Sequence, residues 1–356
     1  MITITAFFCL GAIELQDKHR QRAFKKCWEV DTSDSARPFV YVGEQIIMTN
    51  GSGKIRSIDT KTGLNLWTTD VGGEFISDLV VYGNDIYVVT SHTRSLNGES
   101  KTAVLLSIAI GSGITNSQVE LPFSNDFYLV PSVHGIVVAS SKGAVILTTH
   151  DLSNIIWKHD LNSGTVHKLV TKDELIGLIT GESSVLLLET QSGRVVLSKD
   201  FKTVLREILI SGDRSLFIGD VRGAVSKVDI TKGVEDWRFK SGGAVLSIDI
   251  SDRSLLVSSA DNFIYKMNAN SGKVDWRKRL NGRPIARPTI YDDNIYVNDM
   301  GDRSTLLIAL SNGKTFNRIE TGAEDTFLSV PIGIHKGSII RQFVDSLVFS
   351  TQESCE

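Results

Sequence analysis

All five tryptophans of this chain stand at one position of a repeat about 40 residues long, and that period constrains the fold more than any other feature. In "GKIRSIDTKTGLNLW", Gly53 to Trp67, an apolar run leads into an Asp-x-x-Thr-Gly turn, and a tryptophan follows four residues past the glycine. The pattern returns in "SKVDITKGVEDW", ending at Trp237, and in "YKMNANSGKVDW", ending at Trp276, while "LLLETQSGRVVL" puts Leu197 in the tryptophan's place. Weaker copies give anchors at Ser117, Trp157 and Asn317, and Trp28 heads the series. The eight anchors are 39, 50, 40, 40, 40, 39 and 41 residues apart. A fixed period of this size marks stacked supersecondary units, each unable to bury its apolar faces alone.

Each unit reads as four short β-branched runs separated by turn residues, such as "RPFVYVG", "EQIIMTN", "GKIRSID" and "LNLWTTD". Four strands of about five residues per unit is the pattern of a propeller blade. Pro38, Pro131, Pro288 and Pro331 enter the first strand of their units, where a missing N–H is tolerated. Gly63, Gly193, Gly233, Gly272 and Gly313 supply the positive φ of the last hairpin turn. Trp28, Trp67, Trp157, Trp237 and Trp276 then lie on the outer strand as blade-docking residues, each with an indole N–H to place. The C-terminal "FLSVPIGIHKGSIIRQFVDSLVFSTQ" provides three strands, and the N-terminal "FKKCWEVD" provides the fourth. The expected fold is all-β, one eight-bladed propeller of four-stranded antiparallel blades, with the last blade closed by the N-terminal strand. It spans residues 24–356 as a single domain. On the repeat, Cys27 and Cys355 fall in the same turn region of that shared blade, either as a disulfide in an oxidising compartment or as two free thiols.

With 41% hydrophobic and 22% charged residues the chain can bury a sizeable core. Its net charge of −3 excludes nucleic-acid binding as the main activity. Residues 1–23 begin with an apolar stretch, "MITITAFFCLGAIEL", too short to span a bilayer but long enough for the core of an export signal. The following "DKHRQRAFKK" places positive charge on the wrong side for easy export, so the segment reads as a truncated export signal or a cytosolic tail.

The turn-plus-tryptophan unit, best seen in "IDTKTGLNLW" and "MNANSGKVDW", resembles the repeat of pyrroloquinoline-quinone (PQQ) propellers. In size and split last blade the chain is most similar to their BamB family of outer-membrane assembly factors. That resemblance implies a non-enzymatic, protein-binding scaffold of the cell envelope, located in the periplasm or at the periplasmic face of the outer membrane. Its partner would be an outer-membrane β-barrel assembly complex, with peripheral membrane association and no cofactor. "AFFC" at Ala6–Cys9 departs from the family's lipidation motif at Phe8. Two alternatives share the repeat: a PQQ-dependent quinoprotein dehydrogenase, and a eukaryotic lumenal sensor or chaperone-complex propeller.

The residues favour the scaffold. The chain has no adjacent cysteine pair, no C-x-x-C-H and no large insertion to roof a pocket. Asp220, Asp261 and Asp299 are candidates for calcium at the channel mouth, though loop aspartates beside turns fit them better. The seven histidines show no ligand spacing. No catalytic, cofactor or metal residue is therefore assigned. The irregular connections carry Arg94, Arg277, Arg279, Arg283 and Arg287, which form either a partner-binding face or a solvated rim.

Overall fold

The computed structural model describes residues 23–32, 38–95, 99–122, 126–161, 164–284, 286–322 and 325–355, without the side chains of 93–100. The N-terminal export-signal segment up to residue 22 lies outside them. The described residues form eight antiparallel sheets and no helix. Strands a to d run outward from the channel. In blade 1 they are Val40–Val42, Gln45–Thr49, Lys54–Asp59 and Asn65–Asp70. Blades 3 to 7 repeat this order, and the a strands of neighbouring blades touch around the centre.

Strands b and c carry the core. Gly135–Ser140 and Ser215–Asp220 are buried at every position, so they read as continuous apolar runs, as strands covered on both faces must. The d strands alternate exposed and half-buried residues, since only their inward side meets a neighbour. Apolar clusters fill every junction from blade 1 to blade 8. One more cluster joins Ile46, Met48 and Ile58 of blade 1 to Ile340, Leu347 and Phe349 of blade 8, so the ring is closed.

The turn between strands c and d explains the sequence motif. Gly63 N–H donates to the Asp59 carbonyl at 2.9 Å, and Asp59 Oδ1 accepts the Lys61 and Thr62 amides at 3.0 and 2.8 Å. Asp229 and Asn268 do the same in blades 5 and 6. The c–d turns of blades 1, 2, 4, 6 and 7 each receive the tryptophan of the preceding blade. The indole N–H of Trp28, Trp67, Trp157, Trp237 and Trp276 donates to the carbonyl of Thr60, Ile110, Thr190, Ala269 and Leu310, at 2.8 to 3.1 Å. The ring lies against the glycine three residues on: a Cβ at Gly63 would stand 2.8 Å from Trp28, and one at Gly272 would stand 2.6 Å from Trp237. Two requirements therefore coincide at Gly272, a positive φ and room for an indole.

Where tryptophan is missing, other contacts serve. Beside Leu197, Lys199 Nζ reaches the Gly233 carbonyl at 2.8 Å. Opposite the small Ser117, Leu152 takes a positive φ of 59° and inserts from blade 3 into the core it shares with blade 2.

Blade 2 absorbs the long repeat. Its b and c strands extend to 11 residues each, Asp85–Ser95 and Glu99–Ala109, and stay paired through Ser95↔Glu99. The polar "SHTRSLNGES" insertion is thus carried by a continuing ladder rather than an irregular loop. Strand a pairs only as far as Ser91 and strand d only as far as Ala103, so among the described residues the end of this hairpin projects from the sheet without lateral neighbours.

Blade 8 is assembled from both ends. Gly333–His335, Ser338–Gln342 and Ser346–Thr351 are strands a to c, and Lys25–Asp31 is strand d, registered from Lys25↔Thr351 to Asp31↔Ser346. Trp28 stacks on Phe349 with centroids 5.4 Å apart. Cys27 and Cys355 meet as a disulfide with Cα atoms 5.3 Å apart, at the point where other blades have the c–d turn.

Two outcomes follow from these contacts. Trp237→Ala should lower the unfolding free energy by ~3–5 kcal/mol. Gly272→Ala should cost more than Gly83→Ala, because both sites have positive φ, worth about 1–2 kcal/mol, but only the first meets a ring. Denaturant titration compares them, and equal losses for the two glycines would remove the steric role of the indole. Separately, reduction of the disulfide, or Cys27→Ser, should cost ~2–4 kcal/mol by freeing the ends of a closed loop. An unchanged denaturation midpoint with and without reductant would dismiss the clasp.

Candidate functional site

Two regions gather polar chemistry: the face bearing the b–c turns and blade-to-blade connections, and the central channel. On the first, the three aspartates suggested by sequence accept hydrogen bonds from the loops. Asp220 Oδ1 accepts the Arg222 and Ala224 amides, both at 2.8 Å. Asp299 accepts Asn281 and Gly282 from the connection entering its own blade at 2.9 and 2.8 Å, and Gly301 at 3.0 Å. Asp261 accepts Phe263 at 3.1 Å on Oδ1, with Gly242 at 2.7 Å and the Tyr265 hydroxyl at 2.6 Å on Oδ2. Asp261 and Asp299 tie turns to connections through both oxygens and keep little lone-pair capacity for a cation, while Asp220 caps its own turn through Oδ1. Among the described residues no group of three or more His, Cys, Asp or Glu is arranged to hold a metal ion.

The arginines do not converge. Arg94 lies on the extended b strand of blade 2, its side chain outside the description. Arg277 and Arg279 sit on the outer strand Val274–Arg279, and the Arg277 guanidinium lies 5.1 Å from the Phe263 ring centroid. Arg283 is exposed on the connection from blade 6 to blade 7. Arg287 turns inward.

In the channel Arg287 meets residues that sequence reasoning passed over. Glu207, on strand a of blade 5 (Leu205–Ser211), is buried. Its Oε1 accepts Lys168 Nζ at 3.0 Å and its Oε2 accepts Arg287 Nη2 at 3.3 Å. Lys168 and Glu207 occupy matching positions, each directly after a register shift in its inner strand. A charge inside an inner apolar run, as in "VHKLV" and "LREIL", was the available signal. Beside the cluster a chamber of about 680 Å³ opens toward the a–b turns of blades 4 to 6.

The sequence family described as "Outer membrane protein assembly factor BamB" matches residues 21–113 and 221–323, together more than half of the chain. The chain belongs to the BamB family. The two matched stretches contain four of the five tryptophans, Trp28, Trp67, Trp237 and Trp276, together with Asn317, and the segment between them contains Ser117, Trp157 and Leu197. No curated protein matches the chain in sequence. Among solved structures it is similar to BamB from Moraxella catarrhalis at 12% identity, over 92% of this chain and 100% of that one, with a TM-score of 0.69. It is also similar to the computationally designed Ika8 protein at 14% identity, over 89% and 96% of the two chains, with a TM-score of 0.74. At these identities the likeness is one of fold.

The loop face of this BamB-family ring has a titratable reporter. Burial, then the hydrogen bond and the charge of Asp261, push the Tyr265 hydroxyl up to about 12 from 10.0. A folded-state value raised above the unfolded one stabilises fully below pH ~10, and that contribution is lost as the pH rises through about 12. Ultraviolet titration of wild type against Tyr265→Phe should show one phenol ionising near pH 12 that the variant lacks. Ionisation of that phenol near pH 10 would break the Asp261–Tyr265 link.

Proposed function

We propose that this chain is a non-enzymatic protein-binding scaffold of the cell envelope, working at the periplasmic side of the outer membrane in β-barrel assembly. The observation that carries the reading is membership of the BamB family. The whole length of the Moraxella BamB chain aligning on this ring supports it. A Cys27–Cys355 disulfide fits an oxidising compartment, and the commitment of Asp220, Asp261 and Asp299 to loop amides weighs against a calcium-quinone centre there.

The docking face in this reading is the one with the b–c turns and blade connections. It offers the projecting hairpin of blade 2 and the exposed Arg283, displayed on a rigid frame. Arg94, Arg277 and Arg279 belong to the same proposal as flanking positive charge, while Arg287 is withdrawn into the channel.

Affinity capture from a cell-envelope extract tests this. The wild-type chain should retain a protein of the outer-membrane barrel-assembly machinery, and Arg283→Glu should weaken that capture several-fold, mostly through association rate and salt dependence. Capture indifferent to Arg283→Glu removes this face. Stoichiometric binding of PQQ with calcium, accompanied by dye reduction, would place the protein among the dehydrogenases instead.

A further inference from the structure

The channel cluster lies apart from the proposed docking face, and its charge is unbalanced. Lys168 from blade 4, Glu207 from blade 5 and Arg287 from the start of blade 7 meet on one carboxylate. Two cations thus share one anion. The closer contact is Lys168 at 3.0 Å, so Glu207 is neutralised chiefly by the ammonium, and Arg287 holds it more loosely at 3.3 Å. Among the described residues this is the one side-chain hydrogen bond of Arg287, although a guanidinium offers five N–H donors in a planar fork suited to a carboxylate. The Arg287 side chain is 37% exposed, so the donors it does not use on Glu207 face solvent and are open to an anion entering the chamber.

The surroundings define the rest of the ligand. Arg287 lines the 680 Å³ chamber, whose walls include Val170, Leu209, Ile210 and Ile250. That volume and that mixture of apolar wall with polar groups are those of a small-molecule site; Lys172 and Arg253 add positive charge to the lining, and Arg287 is the cation there that also contacts the Glu207 cluster. Its acidic lining residues do not cancel the surplus. Asp213 is engaged by Ser211 Oγ and the Ser215 amide and lies 3.7 Å from Lys227, and Asp252 sits in the turn beside Arg253 at the mouth.

We propose that the channel chamber binds a small monocarboxylate with an apolar body. Its carboxylate is gripped by Arg287, and its apolar portion lies against Val170, Leu209 and Ile250. Lys168 acts as a positioning residue, compensating Glu207 so that Arg287 remains available.

Calorimetric or NMR titration of the full chain with sodium octanoate tests the site, with octan-1-ol and octylamine as matched probes lacking the anion. Octanoate should bind at least about tenfold more tightly than either. Arg287→Met should abolish that preference. Glu207→Gln, which frees both cations while keeping the side chain's shape, should tighten octanoate binding several-fold, and Lys168→Met, which leaves Arg287 as the sole partner of Glu207, should weaken it. Opposite signs for those two variants are not expected of a merely structural ion cluster. If Glu207→Gln does not fold, Lys168→Met and Arg287→Met carry the test. Equal affinity for octanoate and octanol, binding unaffected by Arg287→Met, or no binding at about 10 mM octanoate overturns the proposal. Partner capture by the loop face is a separate measurement and is not decided by any of these results.

Discussion

The contact on which the ring depends is an indole laid across the backbone of the next blade's turn. Its apolar face packs against a glycine that has no side chain, and its N–H closes on a carbonyl three residues earlier, so one side chain fixes both the spacing and the angle between blades. Apolar clusters at each junction supply most of the buried surface, but such packing is non-directional. The indole hydrogen bond adds direction. Where the tryptophan is lost, the replacements show what it was doing: Lys199 restores a link to the Gly233 carbonyl, and Leu152 restores bulk opposite Ser117 from the other side of the junction.

Much of this architecture is legible in the order of the amino acids. The 40-residue period and the turn glycines can be read there because each depends on residues close together in sequence; the split last blade joins the two ends of the chain and is legible only by counting units, three strands left over at one end and one at the other, and the eight-bladed all-β ring follows. The channel site is less legible. The relation of Lys168 to Glu207 and Arg287 joins three blades, and nothing local in "LREIL" says that its glutamate faces a channel with a lysine and an arginine waiting. Arg287, read as one charge among several on irregular connections, is separated from Arg283 by only four positions yet turns inward to a buried carboxylate. Arg277 and Arg279 lie on a regular outer strand, because "VDWRKR" continues a blade rather than leaving it.

The two polar regions suit different kinds of chemistry. On the loop face, aspartates staple connections to one another and so stiffen a surface from which the blade 2 hairpin projects. In the channel, Lys168 and Glu207 come from inner strands of neighbouring blades, and Arg287 joins them from the connection that enters blade 7. The two regions thus share no hydrogen bond or ion pair among those described above.

Ring closure also separates the order of the blades along the chain from their order in space. Lys25 and Thr351 are register partners, so the polypeptide enters and leaves the propeller at one c–d corner, bridged there by Cys27 and Cys355 instead of a turn. Every other blade has a covalent turn at that corner and a comparable junction on either side. A circularly permuted chain, opened instead at the a–b turn at Gly43, where no indole is seated, and rejoined by a short turn between Thr351 and Lys25, would keep the same sheets and the same tryptophan seats. Where such a chain starts is thus a property of its history rather than of its stability.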